Sequence, residues 1–266
     1  MYNFFINQNS IIQTLIATLF TWFVTCLGAS FVFFFKKINK NIMDAMLGLS
    51  GGVMISASFW SLLSPAIELS ENLGQNSWLI ATTGFLSGGM LLFIGDKLFD
   101  YFTKKKLKHN HSSLKRSLML ISSITLHNIP EGLVVGVAFG TIFYNLEGAT
   151  LMSACLLALG IGIQNFPEGT AVSLPLRREG LSRTKSFILG QLSGIVEPIF
   201  GVLGCLLALK IRSILPFLLS FAAGAMIYAV VVEIIPESQT NKKKNLMALF
   251  TLIGFSIMMI LDVALG

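Results

Sequence analysis

Charged residues are scarce in this sequence, since only 12% of its 266 residues are Asp, Glu, Lys or Arg. Soluble domains carry about 25% charged residues, whereas the mean hydropathy of this chain is +0.76. Apolar segments recur along the whole length, and a single amphipathic anchor does not explain that pattern. The composition therefore predicts an integral membrane protein embedded in a lipid bilayer.

Cysteine is rare as well. Cys26, Cys155 and Cys205 all fall inside long apolar segments, so the sequence indicates neither a disulfide framework nor a CxxC metal site. The N-terminus also lacks the basic region and cleavage site of a signal peptide. We therefore expect the first apolar segment to remain in the mature protein.

The apolar segments predict eight membrane spans in an all-α protein with a single transmembrane domain, residues 1–266. The spans are roughly 11–35, 45–69, 78–100, 117–144, 150–175, 185–209, 213–236 and 246–265. The net charge of +6 resembles a nucleic-acid signal, but the basic residues lie in short loops between spans. The even-numbered loops hold only Lys210 and Arg212, so the odd-numbered loops are predicted to be cytoplasmic and both termini extracytoplasmic. We expect no nucleic-acid partner, and the short loops favour a bacterial inner membrane.

One polar motif occurs twice within these apolar segments. It reads HNIPEG at His127–Gly132 and QNFPEG at Gln164–Gly169. On a helix, positions i, i+1 and i+4 lie on one face, so the His or Gln, the Asn and the Glu of each copy converge. Each proline also removes a backbone donor and bends the helix beside the polar face. Two such helices could form a cage for a borderline divalent cation.

Three glutamates lie within predicted spans. Glu131 and Glu168 belong to the two motifs, and Glu197 lies beside Pro198 in span six. A carboxylate inside a membrane is costly unless it is paired, which makes each a functional candidate. Interhelical hydrogen bonding is the structural alternative, but the matching offsets of the two motifs exceed what packing requires. Glu197 could be a ligand or a protonated donor between helices.

A second repeat relates spans two and seven. The sequence GVMISA at Gly52–Ala57 matches GAMIYA at Gly224–Ala229, and a proline follows each at a similar distance. Spans three and eight carry a weaker echo, Gly88 to Asp96 and Gly254 to Asp262. Chance similarity between helices rich in small residues is an alternative. Since span two runs inside to outside and span seven the reverse, the pattern predicts an inverted repeat of spans 1–3 and 6–8 around spans 4–5.

Together with SGIVEP at Ser193–Pro198, the two motifs resemble those of the ZIP (Zrt-, Irt-like) metal transporters, and QNFPEG resembles their GufA-type branch. The resemblance covers nearly the whole chain. It implies import of zinc and related divalent metals into the cytoplasm through a two-metal site at mid-membrane, in a homodimer. Cadmium, manganese and iron are further possible substrates.

The resemblance also implies a ligand set. The first metal position would use His127, Glu131, Gln164, Glu168 and Met54, and the second Asn128, Glu131, Asn165, Glu168 and Glu197. Without the resemblance, Met54 would be assigned to core packing. Gln164 stands where many members have His, which shifts the preference from zinc towards manganese, iron or cadmium. Asn165 stands where many have Asp, so the second position loses a negative charge and is expected to be weak or structural.

Acidic residues at the span ends suggest a path. Glu68 and Asp262 would gather cations at the outer entrance by resemblance, although carboxylates at helix ends are often only solvated. Glu233 and Glu237, with Asp96 and Asp100 nearby, indicate a cytoplasmic exit. The loop at 103–116 contains His109 and His111, which either belong to a solvated basic loop or handle metal at the cytoplasmic mouth.

Two other functions compete with metal transport. An intramembrane metalloenzyme would be expected to carry His-Glu-x-x-His or a nucleophile beside a histidine, and the sequence contains neither. A proton-coupled cation exchanger could use the glutamates, but it would leave the amides and His127 without a role. We therefore expect a transporter and not an enzyme.

Overall fold

The computed structural model of the protein describes residues 2–35, 39–106, 112–144 and 150–265. Every regular element in these ranges is helical, which confirms the all-α class. The α-helices are α1 Tyr2–Ile6, α2 Ser10–Phe34, α3 Lys40–Ala57, α4 Ser64–Asn72, α5 Ser77–Lys106, α6 Ser112–Thr141, α7 Leu151–Arg178, α8 Arg183–Leu192, α9 Val196–Lys210, α10 Leu215–Ala229, α11 Ile235–Ser238 and α12 Lys244–Ile260. Three π-helical segments, Ser58–Leu63, Val230–Ile234 and Leu261–Leu265, continue α3, α10 and α12.

Six segments of the described chain are long and apolar enough to cross a membrane. They are Ser10–Phe34, Lys40–Asn72, Ser77–Leu98, Arg183–Lys210, Leu215–Ser238 and Lys244–Ala264. The motif helices α6 and α7 are not among them. In α6 the described apolar stretch, Asn128–Tyr144, is shorter than a span, and α7 carries the buried polar residues of the second motif. Membrane insertion is therefore supported by six spans, and the count of eight stays a prediction.

Several helices begin at residues whose side chains accept backbone hydrogen bonds. Asn9 accepts from the backbone N–H of Ile12 at 2.9 Å before α2. Thr150 and Ser153 form a reciprocal capping box at the start of α7. Such caps satisfy the N–H groups that have no partner in the first turn, and therefore fix where a helix begins.

The helices pack mainly as four pairs: α2 with α7, α3 with α12, α5 with α10, and α6 with α9. Each pair crosses where both helices carry glycine. These glycines are Gly28 and Gly169, Gly52 and Gly254, Gly88 and Gly224, and Gly136 and Gly204, in the order of the pairs. A Cβ atom at any of them would overlap a backbone carbonyl of the partner helix. The pairs are therefore held by direct backbone approach, as is common inside membranes.

The two motif helices lie where these pairs meet. Helix α6 contacts α7 directly, α3 packs against α7, and α10 packs against α6. The main apolar cluster, which includes Met54, Val134, Ile161 and Met226, fills the space between these helices. The fold therefore places both polar motifs in the interior and surrounds them with apolar side chains.

The glycine crossings can be tested at neighbouring positions on α5. We expect Gly88→Ala to lower the free energy of unfolding by about 1–3 kcal/mol, because the added methyl overlaps the backbone of α10. Thermal unfolding of the detergent-solubilised protein measures this change.

Gly89→Ala is the matched control. Its Cβ would lie 3.5 Å from the Gly224 carbonyl oxygen, an ordinary contact, so stability should be unchanged or rise by up to about 1 kcal/mol. Equal melting temperatures for the two variants would contradict close packing at Gly88.

Candidate metal centre

The polar residues of both motifs are deeply buried. Asn128, Glu131, Gln164, Asn165 and Glu168 are each at most 2% exposed. Glu197, at the start of α9, is fully buried as well. The structure therefore brings predicted site residues from α6, α7 and α9 into the protein interior.

Hydrogen bonds connect the motifs to one another and to α9. The Gln164 side-chain amide donates to Oε1 of Glu131. The Asn165 amide nitrogen lies 3.0 Å from each carboxylate oxygen of Glu197 and donates to that group. The carboxylates of Glu131, Glu168 and Glu197 are also close enough for their charges to interact. These contacts join five of the predicted residues in one polar cluster.

The glycine that ends each motif sets the distance to a partner helix. A Cβ at Gly132 would meet the backbone of Glu197, and a Cβ at Gly169 would meet the carbonyl of Thr25 on α2. The first approach places Glu197 beside the α6 motif, and the second places α2 beside the α7 motif. The motif glycines are therefore part of the construction of the site.

Six oxygen atoms of this cluster are buried without a hydrogen-bond partner. They are Oδ1 of Asn128, Oε2 of Glu131, Oε1 of Gln164, Oδ1 of Asn165 and both carboxylate oxygens of Glu168. Buried polar groups nearly always have partners, and unpaired carboxylates inside a membrane are costly. A bound cation would satisfy these atoms, so the cluster is a candidate metal centre.

The donor set of the described side chains is rich in oxygen. Among these side chains, no three His, Cys, Asp or Glu residues are close enough together to hold a metal ion. Binding would therefore depend on the amide oxygens of Asn128, Gln164 and Asn165 as well as on the carboxylates. His127 lies in α6, but its side chain is outside the described residues. Oxygen donors suit harder divalent ions, and an imidazole would add affinity for zinc.

Helix α3 lies against this cluster through α7. Met54, a predicted ligand, is fully buried and belongs to the main apolar cluster. Ser50, one turn earlier, is close enough to Glu168 for its hydroxyl to interact with the carboxylate, although no hydrogen bond of normal geometry joins them. Sequence reasoning missed Ser50, since a serine among small residues has no distinctive pattern.

Thr21 on α2 was also missed. Its hydroxyl donates to Oε2 of Glu197, across 176 residues of sequence. Four buried threonines recur along α2, namely Thr14, Thr18, Thr21 and Thr25. This helical spacing of polar side chains in an apolar span was the available signal for a polar contact on that face.

The predicted entrance residues differ in their surroundings. Asp262 is half-buried in the π-helical segment after α12, and it accepts bonds from the Ser61 hydroxyl at 2.8 and 2.9 Å. Ser61 lies in the π-helical segment after α3. Glu68 is exposed on α4. Asp262 is therefore hydrogen-bonded to the segment that follows α3, whereas the side chain of Glu68 is exposed.

The predicted exit residues are only partly described. Glu233 is half-buried in the π-helical segment after α10, close enough to both Glu168 and Asp96 for their charges to interact. Glu237 is exposed on α11. His109 and His111 lie outside the described residues, as does the side chain of Asp100. Glu233 and Asp96 thus connect the buried cluster, through Glu168, to the segment after α10 and to α5.

Comparison with known proteins places these features in a family. Residues 103–262 match the family model described as ZIP Zinc transporter. The chain is 38% identical to Zinc transporter ZIP11 of Xenopus tropicalis, over 96% of this chain and 98% of that protein. It is 34% identical to Zinc transporter GufA of Myxococcus xanthus, over 95% and 98% of the two chains. It is also 34% identical to Zinc transporter ZIPB of Bordetella bronchiseptica, over 91% and 78%.

These similarities span nearly the whole chain and include both motifs, which confirms the resemblance drawn from HNIPEG and QNFPEG. The family and these relatives are transporters and not enzymes, so the expectation that the chain is not an enzyme is also confirmed. The chain belongs to the ZIP family of zinc transporters.

Proposed function

We propose that this protein transports Zn²⁺ or a related divalent metal through the buried polar cluster between α6 and α7. The observation that carries the proposal is the set of six unpartnered oxygens on the two family motifs. A proton-carrying site would not need the amide oxygens of Asn128, Gln164 and Asn165, whereas a metal ion would use them. The relatives named above are zinc transporters, which supports zinc as a substrate.

The proposed ligand set follows the unpartnered atoms. Glu131 and Glu168 provide the negative charge, and Gln164 contributes its free amide oxygen. His127 and Met54 complete the first metal position on this proposal. The second position that the resemblance implies, at Asn128, Asn165 and Glu197 with the same two glutamates, would be weak or only structural. Both oxygens of Glu197 already accept hydrogen bonds, so this carboxylate is less available to a metal than Glu131 and Glu168.

The packing supports the inverted repeat within the proposed eight-span architecture. In the predicted repeat, span 1 (α2) corresponds to span 6 (α9), and span 5 (α7) corresponds to span 4 (α6). The α2–α7 pair therefore corresponds to the α9–α6 pair. In the same way, span 2 (α3) corresponds to span 7 (α10), and span 8 (α12) to span 3 (α5), so the α3–α12 pair corresponds to the α10–α5 pair. All four pairs occur. The glycines that match in the repeat, Gly52 with Gly224 and Gly88 with Gly254, are those at the α3–α12 and α5–α10 crossings.

We further propose an orientation and a path. The basic odd-numbered loops would face the cytoplasm, most simply of a bacterial inner membrane, with both termini outside. Metal would enter past Glu68, Ser61 and Asp262, and leave past Glu233 and Glu237 towards the loop with His109 and His111. Transport would then run into the cytoplasm, in a homodimer as the resemblance implies.

Zinc uptake into proteoliposomes tests the proposal, with the purified protein and with and without a pH gradient. Metal uptake above protein-free vesicles is expected. If the protein increases proton flux but not metal uptake, the chain is an exchanger of another kind and the proposal fails.

Removal of either bridging carboxylate should abolish transport. Loss of one buried charged ligand costs about 3 kcal/mol or more, so Glu131→Ala and Glu168→Ala should weaken metal binding roughly a hundredfold. Uptake is measured at matched membrane levels. Glu71→Ala is the control, because Glu71 is an exposed carboxylate at the end of α4. Near wild-type uptake by either buried variant would contradict the ligand assignment.

Gln164→His should shift selectivity towards Zn²⁺ and away from Mn²⁺, because imidazole is the better ligand for borderline ions. An imidazole N–H could still donate to Glu131 in place of the Gln164 amide. Competition uptake with paired metals measures the preference. An unchanged order of preference would mean that residue 164 does not face the ion.

Acidification should weaken metal binding. The glutamates must be ionised and His127 must have a neutral ring nitrogen to bind metal, so binding releases protons. Affinity measured by calorimetry should fall from neutral to mildly acidic pH, and the fall should be shallower in His127→Gln. The binding enthalpy should also differ between buffers of different ionisation enthalpy. An equal binding enthalpy in such buffers would show that no proton is released, and would contradict the assignment of His127 and the glutamates as ligands.

A further inference from the structure

Glu197 differs from the other two buried carboxylates of the site. Both of its oxygens accept hydrogen bonds from Asn165, and Oε2 also accepts one from Thr21. Glu131 keeps one oxygen without a partner, and Glu168 keeps two. Each oxygen of Glu197 is therefore engaged within the protein, while one oxygen of Glu131 and both oxygens of Glu168 are available to a ligand.

The Asn165 amide is held in one orientation. Its nitrogen lies 3.0 Å from each Glu197 oxygen and 3.3 Å from the backbone carbonyl oxygen of Thr21. All three neighbours are acceptors when Glu197 is ionised, so only the NH₂ end of the amide can face them. Oδ1 of Asn165 then points the other way, where it is buried without a partner. A hydrogen bond behind a ligand commonly sets its orientation in this way.

Thr21 donates a hydrogen bond to the carboxylate that accepts from the Asn165 amide. Its hydroxyl has one hydrogen and two acceptors in reach, Oε2 of Glu197 and the carbonyl oxygen of Thr18 at 3.0 Å. The bond to a carboxylate is the stronger of the two. Thr18, one turn earlier and equally buried, donates instead to carbonyls of its own helix, Thr14 at 2.8 Å and Leu15 at 3.3 Å. Thr21 thus ties α2 to α9 through a charged acceptor.

We propose that Thr21 is a positioning residue of the metal centre: it holds Glu197, and Glu197 turns the Asn165 oxygen towards the bound ion. The inference rests on the proposed function, namely that the cluster binds a divalent metal. If residue 165 were an aspartate, as in many family members, its carboxylate would lie beside that of Glu197. The two would need a cation between them to offset their repulsion. With Asn165, the hydrogen bonds that Glu197 accepts take the place of that cation. The chain therefore binds one ion and not two.

The first test compares Thr21→Val, Thr21→Ser and Thr18→Val in the full-length protein. Loss of one hydrogen bond to a charged group should weaken Cd²⁺ binding in detergent about tenfold. The KM for zinc uptake should rise in Thr21→Val by a similar factor, with little change in maximal rate. Thr21→Ser keeps the hydroxyl and should restore affinity, and Thr18→Val should leave it unchanged.

The outcomes separate positioning from packing. If Thr21→Val and Thr18→Val lose affinity equally, the role of Thr21 is packing and the inference is overturned. The same holds if Thr21→Val lowers the maximal rate but leaves affinity and KM unchanged. If the wild-type protein binds no Cd²⁺ and takes up no zinc, the proposed function fails, and this inference fails with it.

The second test uses Asn165→Asp and does not depend on how well the Thr21 variants fold. Wild-type protein should bind one Cd²⁺ per chain by calorimetry, and Asn165→Asp should bind two, because the new carboxylate removes the amide donor and adds a ligand. Glu197→Gln loses the charge that holds the Asn165 amide and should bind its one ion more weakly. Two ions in the wild type, with one lost in Glu197→Gln, would show that Glu197 is itself a ligand and would overturn the inference.

Discussion

The cost of burying carboxylates inside a helical membrane protein governs this structure. Glu131, Glu168 and Glu197 lie close together with no described basic side chain against them, and each needs hydrogen bonds or a cation to offset its charge. Glu197 is satisfied by Thr21 and Asn165, whereas Glu131 and Glu168 keep unpartnered oxygens. That division underlies the proposal that Glu197 supports the site while Glu131 and Glu168 bind metal.

Backbone contact between helices makes this arrangement possible. The glycines of the four crossings let helix backbones touch, and the two motif glycines do so beside the site itself. Gly132 brings Glu197 next to the α6 motif, and Gly169 brings α2 next to the α7 motif. A bulkier residue at either position would move a hydrogen-bond partner away from the cluster. The sequence HNxPEG or QNxPEG thus contains both the polar groups and the means of bringing their partners close.

The local parts of the site could be predicted from sequence, and the long-range parts could not. The i, i+1, i+4 spacing correctly indicated that Glu131, Gln164 and Glu168 share buried faces, and the low charge indicated a helical membrane fold. The contact of Thr21 with Glu197, and the closeness of Ser50 to Glu168, join helices distant in sequence. Such pairs are set by how helices cross. The threonine spacing on α2 marks a polar face, but it does not tell which residue of which helix that face meets. The Ser61–Asp262 contact was missed for the same reason.

On the proposed function, a metal bound at the unpartnered oxygens would also affect how long the protein survives in its membrane. An ion that binds the folded chain and not the unfolded one adds to the free energy of unfolding in proportion to the logarithm of its concentration. When the metal is scarce, α6 and α7 would separate more often, and locally open forms are the ones that proteases recognise. The abundance of the transporter would then follow the supply of its own substrate, without a separate sensor.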